Sequence, residues 1–463
     1  MTPLIGTIVC IAGIAWLFLL DRDARVPASL ALWIPTVWLL INASRSVSQW
    51  LQITPTVTLA QQYSEGNPLD ATIYGILILA GLFVLNLRSR QVRQFLQQNL
   101  PVLLFFAYCA LSIVWSDHSF IAAKRWAKSI GDLVMVMVVF TDPYPLTALK
   151  RVLTRASIIL LPLSVLLIEC YPSLGTVWIP DDMTTAYVGV TTFKNLLGMV
   201  CMVFGLASVW SFIEAWLDRS MPHRLRHLTA HGTLIAIAIW LTVICDSKTS
   251  FSCLLLMAGV MVFLSQRLVV RKPHTVHLIV WTALALPIFA LFLDTVGTLV
   301  HALGRNTTLT DRTLIWKAVL SIHINPLLGT GFESFWLGNR LEAVWNMSVK
   351  GIQEAHNGYL ELYLNLGFVG LFLFGAMIVA GYRHAFVAFR RDPHEGRFRL
   401  AFLTAALVYS LTEAGFRMMT PIWLVLILAV TGVPSAVLAK VRQQVPAASW
   451  TRGANRRQIR ILQ

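Results

Sequence analysis

The sequence predicts an all-α protein that crosses a membrane many times. Hydrophobic residues make up 57% of its 463 residues, charged residues only 13%, and mean hydropathy is +0.68, whereas a soluble domain carries about 25% charged residues. Apolar runs recur along the whole chain, and one long polar segment, residues 295–357, interrupts them. A large soluble α-protein would need far more charge on its helix surfaces. The composition therefore excludes that class.

Several of the apolar runs are shorter than the ~20 residues that a straight membrane helix needs, so the predicted number of spans is 12 or 13. The first run is not a signal peptide, because it lacks a basic start and a small-residue cleavage site before Asp21. The predicted spans lie near 4–20, 29–42, 70–87, 100–115, 126–141, 155–170, 194–212, 231–246, 250–265, 276–294, 359–380, 399–415 and 420–438.

Lys and Arg predict the orientation of these spans. The chain has 37 Lys and Arg residues, and 25 of these fall in one set of alternating loops. Loops rich in Lys and Arg stay in the cytoplasm, so the segment 295–357, which we call the polar island, should face the periplasm of a bacterial inner membrane. The net charge of +15 is then mainly a topology signal, and no nucleic-acid partner is expected.

One membrane domain is expected over residues 1–440, followed by a basic cytoplasmic tail over 441–463 that can contact anionic membrane lipid. The polar island is too long and too rich in Trp, Arg and Gly for a passive connector. Long loops of such composition usually carry function. We therefore expect the catalytic residues in the island, with short helices of its own.

Five basic residues on the predicted outer side need another explanation than topology. A cluster of fixed cations suits a phosphate or pyrophosphate, because Arg offers a planar fork to phosphate oxygens and Lys a point charge. The alternative for each is a helix cap, a snorkelling side chain or a pair with a nearby carboxylate. The five are Lys194, Lys248, Arg305, Arg312 and Arg417.

His356 lies where the chain passes from the island into an apolar helix. It shares one helical face with Tyr359 and Tyr363 by its i, i+3, i+7 spacing. A neutral imidazole near the aqueous edge can accept a proton, since its reference pKa is ~6.5. The alternative is a capping or interfacial histidine. The six cysteines form no Cys-x-x-Cys pair, so neither a metal nor a redox centre is expected.

Three segments, 310–316, 325–336 and 355–361, resemble the O-antigen ligase/polymerase superfamily. Its pattern is a helix with G-R-x-x-x-W, a P-x-x-G-x-G-F turn, and H-N-x-x-L at the start of a span. Phe335 and Trp336, which follow the glycines, are most similar to the exopolysaccharide polymerase branch that resembles ExoQ.

The resemblance implies an inverting, metal-independent glycosyltransferase of the GT-C type without a cofactor. Its donor would be an undecaprenyl-pyrophosphate-linked oligosaccharide, and a polysaccharide chain-length regulator is an implied partner. His356 and Arg312 match the functional motifs directly. Lys248 stands where the family commonly has Ser-Arg, and Lys194 stands in its Lys-Asn pattern.

From these residues we predict that the cations stabilise the leaving pyrophosphate and that His356 takes the acceptor hydroxyl proton. Glu354 and Glu361 are alternative bases, and Glu354 is also expected near the acceptor. Trp316, Trp336 and Tyr359 could stack on sugar rings, or form an interfacial aromatic belt.

Three functions remain open from the sequence. The first is a polymerase of lipid-linked repeat units, which the residues Phe335 and Trp336 favour. The second is a ligase that transfers a glycan to lipid A-core. The third is a transporter of lipid-linked sugars, for which an ionisable group near the bilayer midplane is expected; Asp132 is the clearest candidate.

Overall fold

The computed structural model describes residues 2–22, 29–53, 66–179, 183–292, 308–347 and 351–433. These residues are mainly helical, so the predicted all-α fold is confirmed. Strands occur in the described part of the chain as one antiparallel hairpin, β1 (Thr176–Ile179) and β2 (Thr184–Tyr187). Arg305 and the predicted basic tail lie outside the described residues.

Before the hairpin, two short 3₁₀ turns accompany the α-helices of the described residues. The turns are Leu30–Leu32 and Ser112–Trp115. The helices are α1 (Pro3–Leu20), α2 (Trp33–Asn42), α3 (Val47–Trp50), α4 (Pro68–Leu87), α5 (Ser89–Gln98), α6 (Leu100–Leu111), α7 (Ser119–Phe140), α8 (Pro145–Cys170) and α9 (Pro172–Gly175).

After the hairpin, the polar island contributes two of the described helices, as predicted. These are α15 (Thr308–Ser321) and α16 (Gly338–Met347). The other helices after the hairpin are α10 (Lys194–Leu217), α11 (Arg224–Ile244), α12 (Lys248–Phe263), α13 (Arg267–Arg271), α14 (Thr275–Phe292), α17 (Gly358–Arg391), α18 (Pro393–Tyr409) and α19 (Pro421–Val430).

Proline marks the start of many helices. Several begin with Pro in the first turn, where its missing N–H removes no helical hydrogen bond. They are α1, α4, α6, α8, α9, α18 and α19.

Every predicted span overlaps a helix within the described residues, although 293–294 and 434–438 lie outside them, and the helices differ in length. Six are long and apolar enough to cross a membrane: α1, α4, α8, α10, α11 and α17. The pair Ser89–Gln98 and Leu100–Trp115 would be a seventh if counted as one span, although it bends by 87°. Shorter apolar helices are Leu30–Asn42, Lys248–Phe263, Thr275–Phe289 and Pro421–Val430. The chain is thus a polytopic membrane protein.

The core lies around α10, which packs against α8, α11 and α12. Helix α19 is buried along all ten of its residues. A helix of this length rises only about 15 Å, so protein rather than lipid surrounds it. By contrast, α1 exposes most of its apolar side chains, as expected of a helix on the outside of a membrane bundle.

Helix α17 is broken at Gly367, whose φ of 63° and ψ of −166° are not helical. A break frees the carbonyls and N–H groups that would have paired across it. The freed carbonyls of Leu364 and Asn365 accept from the N–H groups of Thr330 and Gly331, at 3.1 and 2.9 Å.

The freed N–H groups are satisfied by the same turn. Phe368 N–H donates to the Pro326 carbonyl at 2.9 Å, and Val369 N–H donates to the Leu327 carbonyl at 3.1 Å. The P-x-x-G-x-G-F segment therefore replaces the helical hydrogen bonds that the break removes. This fixes the island on the helix that follows His356.

Candidate functional site

The island has a small hydrophobic core of its own. Its buried side chains come from α15, α16, the segment between them, the first turns of α17 and the segment that precedes α17. Trp316 and Trp336 pack against this core at its edge. The buried members are Ile315, Ala318, Val319, Phe335, Val344, Ala355 and Leu364.

Ala355 is held from both sides, which places its neighbours Glu354 and His356. The Trp316 indole N–H donates to the Ala355 carbonyl at 2.8 Å. The Ala355 N–H donates to the Glu361 carboxylate at 2.5 Å, and this carboxylate also accepts from the Trp336 indole N–H at 3.0 Å. His356 itself has a φ of 48°, a left-handed conformation that costs about 1–3 kcal/mol in a non-glycine residue.

The buried carboxylate of Glu413, only 5% exposed, is the centre of the site. Arg312 Nη2 donates to its Oε1 at 2.8 Å. His356 Nδ1 lies 3.3 Å from its Oε2. The Asn195 amide, at the start of α10, donates to Oε1 at 3.4 Å. One carboxylate, in the turn between α18 and α19, thus joins the island to helix α10.

Glu354 extends this cluster toward the surface. Its Oε1 lies 3.1 Å from His356 Nδ1, and its Oε2 lies 3.8 Å from Arg417 Nη1. The Arg417 side chain is half-exposed. Arg312, Glu354, His356, Glu413 and Arg417 form a continuous network, which we call the Glu413 cluster.

Electrostatics favour the ionised forms of His356 and Glu354. Burial alone lowers the pKa of His356, but its hydrogen bonds to Glu354 and Glu413 outweigh burial and raise the pKa to about 10. Burial raises the pKa of Glu354, but the hydrogen bond and charge of His356, with Arg417 and Arg312, lower it overall. His356 is therefore an imidazolium at neutral pH while both carboxylates face it.

The Glu413 cluster borders two adjoining cavities. The larger, of about 360 Å³, is lined by the basic residues Arg125, Lys128 and Arg417 together with Glu354 and Glu413. The smaller, of about 80 Å³, has an aromatic and amide lining: Phe105, Phe332, Trp336, Phe416, Gln353 and Asn365. Both cavities share Arg125, Glu333, Glu354, Arg417 and Met418. Two different ligands could therefore meet at these shared residues.

The structure brings four of the predicted site residues together: Arg312, Glu354, His356 and Arg417. The predicted lysines Lys194 and Lys248 are the first residues of α10 and α12. The residue after each lysine reaches the Glu413 cluster or its neighbour. Asn195 forms a hydrogen bond with Glu413, and Thr249 forms one with Thr412 at 3.2 Å. The roles predicted for both lysines stay predictions.

The aromatic candidates have structural partners. Tyr359 donates its hydroxyl to the Leu407 carbonyl at 3.1 Å and packs edge-on against Phe416, with ring centroids 5.0 Å apart. The indole N–H groups of Trp316 and Trp336 donate hydrogen bonds to Ala355 and Glu361. Trp336 also lines the smaller cavity. Sugar stacking at these rings stays a prediction.

Arg125 and Lys128 are site residues that sequence patterns did not identify, and the sequence offered Glu413 only as a possible ion-pair partner of a nearby cation. Arg125 donates to the Glu333 carbonyl at 2.6 Å, which ties α7 to the island. The i, i+3 spacing of Arg125 and Lys128 in the first half of α7, ahead of its apolar second half, was an available signal. Glu413 carries no such signal, because its importance comes from partners distant in sequence.

Glu354, His356 and Glu413 could also hold a metal ion, since their ligand atoms lie within 4.8 Å of one another. The arrangement fits a cation poorly, however. Arg312 and Arg417 already place two guanidinium groups against these carboxylates, and like charges repel at such distances.

The raised pKa of His356 predicts a pH-dependent contribution to stability. A group whose pKa is raised by folding stabilises the folded state fully below its unfolded value, and this stabilisation is lost as pH rises through the folded value. We expect His356→Gln to lower the thermal unfolding midpoint most at pH 6 and below. The difference from the wild type should shrink between about 6.5 and 10. A difference that stays constant up to pH 10 would contradict the imidazolium assignment.

Asp132, the residue proposed for a transport path, is fully buried among protein donors. It accepts from the Trp38 indole at 2.8 Å and from the Met419 backbone N–H at 3.0 Å. The Asn42 amide lies 3.5 Å away. Asp132 therefore anchors the turn that carries Arg417, and a structural role accounts for its contacts.

Comparisons with known proteins agree with the motif resemblance. Residues 232–375 match the family model described as O-antigen ligase. The chain is also similar to the "Exopolysaccharide production protein ExoQ" of Rhizobium meliloti (strain 1021), with 23% identity over 287 residues. That alignment covers 60% of this chain and 63% of the relative, which is less than two thirds of the relative's length. The predicted resemblance is confirmed.

Proposed function

We propose that this chain is a membrane glycosyltransferase of exopolysaccharide production. Residues 232–375 match the family model described as O-antigen ligase, which supports this proposal. In our proposal it polymerises undecaprenyl-pyrophosphate-linked repeat units at the periplasmic face of the bacterial inner membrane. The observation that supports it is the Glu413 cluster, which borders a cavity lined by two further basic residues, Arg125 and Lys128. Similarity to a relative named for exopolysaccharide production favours a polymer product.

The donor diphosphate would bind in the larger cavity. Arg125, Lys128 and Arg417 line it and can neutralise phosphate oxygens, with Arg312 behind them. As the bond from the sugar to phosphate breaks, negative charge grows on the leaving diphosphate. Cations fixed in place before the reaction stabilise this charge without reorganisation. The polyprenyl chain would extend from this cavity into lipid.

The acceptor sugar would enter the smaller cavity, where Trp336 offers a ring face and Gln353 and Asn365 offer amides. Its hydroxyl oxygen forms the new bond to C1 of the donor sugar on the face opposite the diphosphate. The old C1–O bond breaks, and its electron pair leaves with the diphosphate. This in-line displacement inverts the configuration at C1.

The hydroxyl proton would pass to Glu354, which lines both cavities and is held ionised. His356, as the imidazolium, would orient this carboxylate. The role of His356 as the base itself stays open as a prediction. For His356 to act as the base, a bound donor would first have to separate its imidazole from Glu354 and Glu413. This separation would lower the pKa of His356 toward the ordinary value.

Reconstituted vesicles with a purified lipid-linked repeat unit test the proposal. We expect the wild type to build chains of many repeats without an ion gradient. Arg312→Ala and Arg417→Ala should each slow chain growth by about 100-fold or more. Arg390→Ala, at the far end of α17 and exposed, is the matched control and should leave growth unchanged. Normal growth in both site variants would refute the proposed role of the cluster.

A ligase is the second candidate, because the matching family is described as O-antigen ligase. Both enzymes would use the same donor chemistry and differ in the acceptor. Supplying lipid A-core together with a preassembled lipid-linked glycan separates them. A ligase joins the two once, whereas a polymerase extends the repeat unit alone. Sugar that crosses the vesicle membrane without bond formation would indicate a transporter.

A further inference from the structure

A second cluster of ionisable side chains lies at the opposite end of the helix bundle. Asp21 follows the last residue of α1, and His227 and His231 lie in the first two turns of α11. Asp21 Oδ1 is 3.2 Å from His227 Nδ1 and 3.1 Å from His231 Nε2. Their ligand atoms all lie within 4.8 Å of one another.

We propose that Asp21, His227 and His231 form a structural zinc site that joins α1 to α11. Two histidines spaced i, i+4 present their rings on one helix face, which is the spacing that helical zinc sites use. Two imidazole nitrogens and one carboxylate oxygen form a donor set typical of Zn²⁺. A water molecule would supply the fourth ligand.

The distances suit such an ion. With zinc bonds of about 2.0–2.2 Å in a tetrahedral site, neighbouring ligand atoms are about 3.4 Å apart. The two observed separations from Asp21 Oδ1, 3.2 and 3.1 Å, need only a few tenths of an ångström of expansion. The Nε2 of His231 makes this contact, whereas its Nδ1 has no hydrogen-bond partner among the described residues.

The three side chains differ in their burial. The His231 side chain is 3% exposed, that of His227 is 12% and that of Asp21 is 25%. The ring of His231 is thus enclosed, while Asp21 leaves a path for an ion from the aqueous side. Two rings of neutral imidazole and one carboxylate leave net positive charge on a bound ion, which the exposed side can hydrate.

This site would not take part in glycosyl transfer. Helix α11 ends at Ile244, just before the turn that leads to α12 near the Glu413 cluster. His227 is 17 residues earlier, which corresponds to about 25 Å along the helix. The sequence His227-Leu-Thr-Ala-His231 also lacks the glutamate that serves as base in helical zinc hydrolases. The site would instead hold the outer helix α1 against the bundle.

Zinc binding to the full chain in detergent, with any affinity tag removed, tests the site. We expect the wild type to bind one Zn²⁺ that survives desalting and raises the thermal unfolding midpoint, and Mg²⁺ to do neither. Asp21→Asn keeps a carbonyl oxygen that can accept from the imidazoles but is a poor zinc ligand. His227→Gln removes one ring while sparing the buried His231.

Each of these two variants should lower zinc affinity at least 100-fold, since even an outer partner of a metal site is worth 10- to 100-fold. Without zinc, Asp21→Asn should unfold at nearly the wild-type temperature. His323→Ala, an exposed histidine, is the control and should bind zinc normally. Absence of zinc from the wild type, or unchanged affinity in Asp21→Asn, would overturn the proposal. Zinc lost from Glu413→Gln but kept by Asp21→Asn would overturn it as well.

Discussion

Gly367→Ala is expected to destabilise the protein more than any other small substitution in the island and its supporting helix. The backbone angles of Gly367, φ 63° and ψ −166°, fall in a region that only glycine adopts readily. A Cβ at this position would come within 2.3 Å of the Leu327 carbonyl oxygen. That oxygen cannot move away, because it accepts the hydrogen bond of Val369.

We expect this substitution to cost roughly 3–5 kcal/mol of folding free energy. The thermal unfolding midpoint in detergent should fall by several degrees, and polymer formation should fall with it. Gly375→Ala, two turns further along α17, is the matched control. A Cβ there meets nothing within 4 Å, so this change should be neutral or stabilise by up to about 1 kcal/mol. Equal midpoints for the two variants would show that the break in α17 is not under steric constraint.

Glu413→Gln is expected to have the largest effect on activity among substitutions that keep the shape of the site. The amide can still accept hydrogen bonds, but it no longer balances the charges of Arg312 and His356. Both cations lose the carboxylate that orients them. Misplacement of catalytic groups by about 1 Å can cost about 100-fold in rate, so we expect chain growth to slow by that factor or more.

Glu413 acts through its neighbours, so it is a positioning residue and needs a readout beyond rate. Removing one of the two carboxylates that raise the pKa of His356 should move that pKa down from about 10 toward 6.5. The pH profile of chain growth should therefore shift to lower pH in Glu413→Gln. Glu413→Asp should restore part of the rate, and Glu342→Gln, an exposed residue on α16, should behave as the wild type. A variant that is slow with an unshifted pH profile would point to a purely structural role.

The membrane fold could be predicted from the sequence because each span is an apolar run that can be recognised locally. Each predicted span overlaps a helix in the part of the chain that the structure describes. Their lengths were less predictable, because a short helix such as α19 (Pro421–Val430) is surrounded by protein, and burial is a property of the assembled bundle. The sharp bend between Ser89–Gln98 and Leu100–Trp115 likewise was not apparent from hydropathy.

Part of the candidate site could also be predicted. Arg312 and His356 lie in recognisable motifs, and the structure brings them to the two oxygens of one carboxylate. The protonation of His356 could not be predicted, because it depends on two carboxylates, one of them 57 residues away along the chain. Arg125 and Lys128 were missed because they reach the cavity only through the packing of α7 against the island.

The charge balance around the larger cavity has a consequence for the resting enzyme. Five basic groups and three carboxylates belong to the cluster and the cavity lining, which leaves two positive charges uncompensated when all are ionised. They are Arg125, Lys128, Arg312, His356 and Arg417, with Glu333, Glu354 and Glu413. A diphosphate diester carries two negative charges, so a bound donor would bring the site to neutrality. Transfer would leave the lipid diphosphate as a monoester that can carry a third negative charge, while Glu354 holds the acceptor proton. Once Glu354 releases that proton, the site that matched the donor would hold an excess of anion. The charge balance that favours binding of the donor would thus also favour release of the lipid diphosphate after the sugar has been transferred.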